Sequence, residues 1–124
     1  MIELLSGFPD NVVACSGKGW ITRDDYERVL IPSVERALGR NPRVRCYYEL
    51  GPDYLGFYAD AAWEDFKLGI EHLTRWERVA IVTDVEWVRL ATNAFRFLVP
   101  GDVRVFSNND RDEARRWITL DAQH

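Results

Sequence analysis

The sequence predicts an α/β fold in one domain, residues 1–124: a mixed five-stranded sheet, first strand antiparallel, with four helices packed against it. Three observations carry this. From Val12 onward, short β-prone runs alternate with segments of helical periodicity, as in parallel strands joined by right-handed crossovers. The exception is N-terminal, where two β-prone runs flank a cluster of turn formers. The 124 residues, 47% hydrophobic and 29% charged, also suit one soluble domain with a sizeable core.

Ile2–Leu5 and Val12–Gly17 are the first two strands, paired as a hairpin across Gly7, Pro9, Asp10 and Asn11. Thr22 is suited to cap the first helix, with Asp24 and Asp25 in its first turn. Tyr26, Val29, Leu30, Val34, Ala37 and Leu38 then recur at helical spacing up to Gly39. Pro32 interrupts that pattern and removes one backbone hydrogen bond, so a kink or two short helices are expected there. Val44–Leu50 is the third strand, and Gly51–Tyr58 reads as a loop rich in bulky side chains.

The second helix covers about Asp60–Leu73. Trp63, Phe66, Ile70 and Leu73 form its expected inner stripe, opposed by Asp60, Glu64, Lys67 and Glu71. Val79–Thr83 is a continuous apolar fourth strand of the kind buried on both faces. Thr83 and Glu86 match a capping box opening the third helix, whose expected core stripe is Trp87, Leu90, Ala91, Ala94 and Leu98. Pro100–Gly101 stops that helix, and Val103–Ser107 is the fifth strand. A last helix begins near Asp110 and turns Ala114, Trp117 and Ile118 inward.

Composition narrows function. A net charge of −4 gives no basic stripe for nucleic acid. Arg111, Arg115 and Arg116 alternate with acidic residues and read as a solvated helix face. No apolar run approaches the ~20 residues that span a bilayer. The N-terminus lacks a signal-peptide pattern, so the expected location is cytoplasmic, with peripheral membrane contact as an addition. Cys15 and Cys46 lie in strands without metal-ligand or redox spacing and read as buried thiols. His72 and His124 are too few for a histidine triad or a histidine-rich metal centre, and no cofactor motif is present; Gly17-Lys18-Gly19-Trp20 is too short a match to a phosphate loop.

Taken together, A-x-W-x-D-x-K-x-G at Ala61–Gly69, R-V-A-I-V-T-D-V-E-W at Arg78–Trp87, F-x-x-P-G-x-V-R-V-F at Phe97–Phe106 and A-R-x-W-I at Ala114–Ile118 resemble the SpoIIAA-like proteins of the STAS superfamily. That group is often placed beside the CRAL-TRIO lipid-binding domains. The resemblance implies a non-enzymatic STAS-type sheet, reversible membrane association and binding of small or apolar ligands. One departure stands out. Sporulation regulators of this superfamily are switched by phosphorylation of a serine where the helix after the third strand begins. Here Gly56–Ala62 contains no Ser or Thr, so that switch is not expected.

The residues single out two aromatic groups. Phe95 and Phe97 lie ~200° apart on a helix, so both cannot face one core. Tyr54, Leu55, Phe57 and Tyr58 form the second group. Tyr54, Phe57, Tyr58, Phe95 and Phe97 are the candidate walls of an apolar ligand or lipid site, with Glu49 and Asp84 as nearby polar groups. Burying one such large side chain contributes ~1.5–3 kcal/mol, enough for a few to support weak binding. The same surface suits a homodimer or a protein-interaction regulator without a phosphoswitch. A small hydrolase using Glu49 and Asp84 is the catalytic alternative, set against the simpler roles of capping and solvation.

Overall fold

The computed structural model describes residues 1–120; His124 lies outside them. The sheet runs in the order β1-β2-β3-β4-β5. Its strands are β1 (Ile2–Leu4), β2 (Val12–Ile21), β3 (Val44–Phe57), β4 (Trp76–Thr83) and β5 (Asp102–Phe106). β1 is antiparallel to β2, and the pairs β2–β3, β3–β4 and β4–β5 are parallel. Four helices accompany them: α1 over residues 23–40, α2 (Ala59–Glu71), α3 (Glu86–Phe95) and α4 (Arg111–Thr119).

Sequential strand order decides the layering. Crossovers of one hand between neighbouring parallel strands place α1, α2 and α3 on the same face of the sheet. Tyr26, Leu30, Val34, Ala61, Leu68 and Val88 from these helices share a core with Cys15, Cys46, Tyr48 and Leu50. Only α4 returns over the other face, where Ala114, Trp117 and Ile118 meet Val12, Ala14, Tyr47, Ala80 and Val82. Two arginines hold it there. Arg45, 6% exposed, pairs with Glu77 at 2.7 Å and donates to the carbonyls of Ile118 (2.9 Å) and Leu120. Arg78 donates to Trp117 O at 2.8 Å.

At the start of α1, Thr22 and Asp25 close a reciprocal capping box, each side chain bonding the other's backbone N–H at 3.1 and 2.8 Å. The expected disturbance at Pro32 appears as a π-helical segment, Tyr26–Leu30, ahead of α-helical Ile31–Arg40. The Ile31 N–H reaches back five residues to Tyr26 O, and Pro32, which has no N–H to satisfy, follows in the first turn of the regular helix.

Five expectations are corrected. β2 and β3 run on to Ile21 and Phe57, so the segment read as a loop at Gly51–Tyr58 is mostly strand. A register shift makes this fit: Gly17 faces Leu50, yet Gly19 faces Tyr54, so Pro52 falls where no ladder partner is needed. Gly19 takes φ +59° at that irregularity, where a Cβ would be strained.

The other four concern the helices. In α2 the buried positions are Ala61, Glu64 and Leu68, while Trp63 (57% exposed), Phe66 and Ile70 are exposed. Glu64 is met by Lys67 at 3.2 Å and Arg23 at 3.8 Å, which makes its burial tolerable. α3 is rotated likewise, with Val88 buried and Trp87, Leu90 and Leu98 exposed. Its capping box does not form. Thr83 is still paired in β4 and fully buried, its hydroxyl accepting the Val85 N–H at 3.0 Å, so Val85 precedes the helix without a side-chain cap. The arginines of α4 are also less free than expected, because Arg115 lies over the rings of Phe8 and Tyr47 at 5.5 and 5.6 Å.

Candidate functional site

Between the sheet and the helices above it lies an apolar cavity of about 300 Å³. The strands contribute its floor: Cys46, Tyr48 and Leu50 from β3, with Trp76, Val79 and Ile81 from β4. Alternation explains this set, since these residues share one sheet face while Tyr47, Ala80 and Val82 point to the opposite core. Leu30 and Val34 of α1 close one side. Asp65, Phe66 and Leu68 of α2 and Val88, Thr92 and Phe95 of α3 form the roof. Phe66 and Trp87 line the cavity yet are about half exposed, which marks where it opens.

The roof explains why the space persists. Ala61, Asp65 and Leu68 follow one another at i, i+4 and i+7 along the inner side of α2. Small and medium side chains there fill less of the gap than the outward Trp63 and Phe66, which stack on each other at 5.9 Å. Gly69 lets α3 approach, since a Cβ at that position would stand 2.8 Å from the Phe95 ring. A volume near 300 Å³ is at the small end of ligand pockets.

One acidic side chain belongs to this wall. Asp65 presents surface to the cavity while protein packs around it, and burial pushes its carboxyl above the usual aspartate value. The Tyr26 hydroxyl donates to its Oδ1 at 2.8 Å and stands 3.1 Å from the Tyr48 hydroxyl. Burial also raises both tyrosines well above their ordinary value and pushes the Cys46 thiol up to about 12, which leaves it an unreactive thiol at neutral pH.

Of the residues singled out from sequence, Phe57 and Phe95 both line the cavity, Phe57 meeting Trp87 edge-on at 5.8 Å. Tyr54 lies buried behind Phe57, with ring centroids 5.3 Å apart, outside the lining. Tyr58 is exposed against Trp20, also at 5.3 Å. Phe97 stands just past α3 and is 88% exposed. Glu49 is on the opposite face of the sheet, accepting the Tyr47 hydroxyl at 2.6 Å with Arg111 at 3.6 Å. Asp84 accepts the Asn108 N–H at 3.2 Å. Neither carboxylate is in the cavity wall. The strand order does not reverse within the parallel part, so the switch-point crevice that would gather them at the carboxyl ends is missing.

Asp65 was the residue that sequence reasoning passed over. Its signal was available: it is the D of A-x-W-x-D-x-K-x-G, four residues after the buried Ala61 and three before the buried Leu68. Among the described residues, no group of three His, Cys, Asp or Glu side chains is placed to hold a metal, and no helix is long and apolar enough to cross a membrane.

Comparison with known proteins agrees with the geometry. A family model described as SpoIIAA-like matches residues 12–119. The chain is similar to a crystal structure, at 2.25 Å resolution, of an uncharacterized protein from the DUF3478 family with a SpoIIAA-like fold, from Shewanella loihica PV-4. The two are 29% identical, with a TM-score of 0.73 over 95% of this chain and 92% of that one. No curated protein matches the chain. The match over residues 12–119 and the shared sheet topology settle the family: the chain belongs to the SpoIIAA-like family and carries a STAS-type domain.

Proposed function

We propose that this protein is a non-catalytic binding module that takes a small apolar or amphipathic ligand into the cavity between β3–β4 and helices α2 and α3. The observation that carries the reading is the cavity: about 300 Å³ walled chiefly by aliphatic and aromatic side chains. A well-packed core leaves few voids larger than a water molecule, so a space of this size beneath two helices favours an occupant. Among the described residues the carboxylate in the wall has no second carboxylate or histidine beside it in the lining, which favours binding over acid–base chemistry.

The test uses N-phenyl-1-naphthylamine, an uncharged apolar dye that brightens on leaving water. Saturable binding of one dye per chain supports the reading, provided that Ile81→Phe, which fills the cavity from its floor, weakens it. Dye fluorescence that fails to saturate, or that ignores this substitution, counts against it.

A second reading rests on a separate observation. Trp63, Phe66, Trp87, Leu90, Phe97 and Leu98 of α2, α3 and the turn after α3 are all about half exposed or more. Contiguous apolar surface of this kind favours contact with a membrane surface near the cavity mouth. With a net charge of −4, insertion of apolar side chains would have to lead over attraction to anionic lipid.

A further inference from the structure

Apolar walls select the body of a ligand; its head is selected by the few polar groups that face it. In this cavity those groups are Asp65, Tyr48, Thr92, the weakly polar thiol of Cys46 and the indole N–H groups of Trp76 and Trp87. Counting their protons shows what they have left to offer. Tyr26 gives its one hydroxyl proton to Asp65 Oδ1, so the proton between the two tyrosines comes from Tyr48. Thr92 gives its proton to Val88 O at 2.8 Å. Every hydroxyl proton at the wall is therefore used within the protein.

What Asp65, Tyr48 and Thr92 keep is acceptor capacity; of the two indole N–H groups in the lining, that of Trp76 is buried without a partner and without surface open to the cavity, and Trp87 stands at the mouth. Asp65 Oδ2 receives no hydrogen bond among the described residues, and the Thr92 oxygen keeps a free lone pair. Among the described residues the lining contains no Lys, Arg or His to meet a negative charge. Asp65 is exposed at the cavity and Thr92 is half-buried, so water can serve these acceptors in the open cavity, and a donor arriving with a ligand takes that water's place.

We propose that the cavity selects an amphiphile without negative charge whose head donates a hydrogen bond, the simplest case being an aliphatic alcohol, with its hydroxyl on Asp65 Oδ2. A carboxylate head is rejected, because it would bring a second negative charge beside Asp65 in apolar surroundings with no cation in the wall. This assignment rests on the proposed binding of an apolar ligand and adds the chemistry of its head.

The experiment is calorimetric titration of the whole protein at pH 8 with 1-octanol and with sodium octanoate, which share a chain length and differ in the head. Octanol is expected to bind about tenfold or more tightly than octanoate, from the like-charge and desolvation penalty on the anion. Asp65→Asn keeps an oxygen for Tyr26 and turns an amide N–H₂ donor toward the cavity, so the ratio is expected to fall to within about threefold. Octanoate binding as tightly as octanol to the wild type overturns the proposal, and so does an unchanged ratio in Asp65→Asn. If that variant does not fold, the two wild-type affinities decide alone. Binding of the naphthylamine dye without octanol overturns the head assignment only; binding of neither removes the ligand reading beneath it.

Discussion

Ile81→Phe tests whether the space under α2 and α3 is real volume. Ile81 lies on β4 opposite Tyr48, partly buried, with its side chain at the cavity floor. Phenylalanine has three more side-chain carbons than isoleucine. At ~0.8 kcal/mol per buried methylene the ceiling is about 2.4 kcal/mol of added stability. Restriction of the ring and incomplete burial reduce that to about 1 kcal/mol. For a domain of this size a gain of that order moves a urea midpoint upward by about half a molar. The same substitution should weaken octanol or dye binding by about tenfold, as the lost volume removes favourable contacts. The sign is decisive. A filled core that receives extra carbons is destabilised by ~1–3 kcal/mol, so a midpoint that falls, with m unchanged, would show that the cavity is not free volume.

Other substitutions probe separate parts of the account. Arg45→Met should lower stability by about 3 kcal/mol in urea unfolding, because it leaves Glu77 without its 2.7 Å partner and the Ile118 carbonyl without its arginine donor, while Arg78 still reaches Leu120 O at 3.1 Å. Asp65→Asn should be more stable than wild type at pH 7, and the gap should narrow toward pH 4. The sign follows from the raised carboxyl: the folded state holds its proton to higher pH than the unfolded chain, so wild-type stability is fully present below the unfolded value and falls as pH rises through the folded one. Urea curves at the two pH values check it, and a gap that widens in acid contradicts it. Trp63→Ser combined with Phe97→Ser removes two exposed aromatics that do not line the cavity, so it should abolish any flotation with zwitterionic liposomes and leave octanol affinity unchanged.

Much of the fold could be read from local chemistry. Thr22 with Asp25, the break at Pro32, the apolar run of β4 and the inward Ala114, Trp117 and Ile118 of α4 each depend on residues within a few positions of one another. The faces of α2 and α3 could not be read this way. Both helices carry apolar residues most of the way round, so periodicity offers two acceptable inner faces, and the larger side chains Trp63 and Trp87 drew the choice outward. Thr83 failed as a cap for a similar reason. Its pairing with Leu50 keeps it in β4 as the last residue, and a ladder partner far along the chain outweighs a local hydroxyl motif.

The candidate site was half legible. Phe57 and Phe95 were read as apolar walls and both line the cavity, yet Glu49 was assigned to the same site and lies across the sheet. Strand alternation carries that separation: Tyr48 and Leu50 face the cavity, while Tyr47 sits in the opposite core and bonds Glu49. Asp65 escaped notice because a carboxylate in an amphipathic helix ordinarily faces water. Its place is fixed by Tyr26, 39 residues earlier in the chain, a contact that no local pattern encodes.

The most direct measurement is methyl chemical-shift mapping of the isotope-labelled protein during titration with 1-octanol. A ligand in the cavity should shift the methyl groups of Leu50, Leu68, Val79, Ile81 and Val88 together, in saturable fashion, and leave Val12 and Ile118 on the far face unmoved. Shifts confined to Leu90 and Leu98 on the outer surface, or no saturable shift at all, would contradict the assignment of this cavity as the binding site.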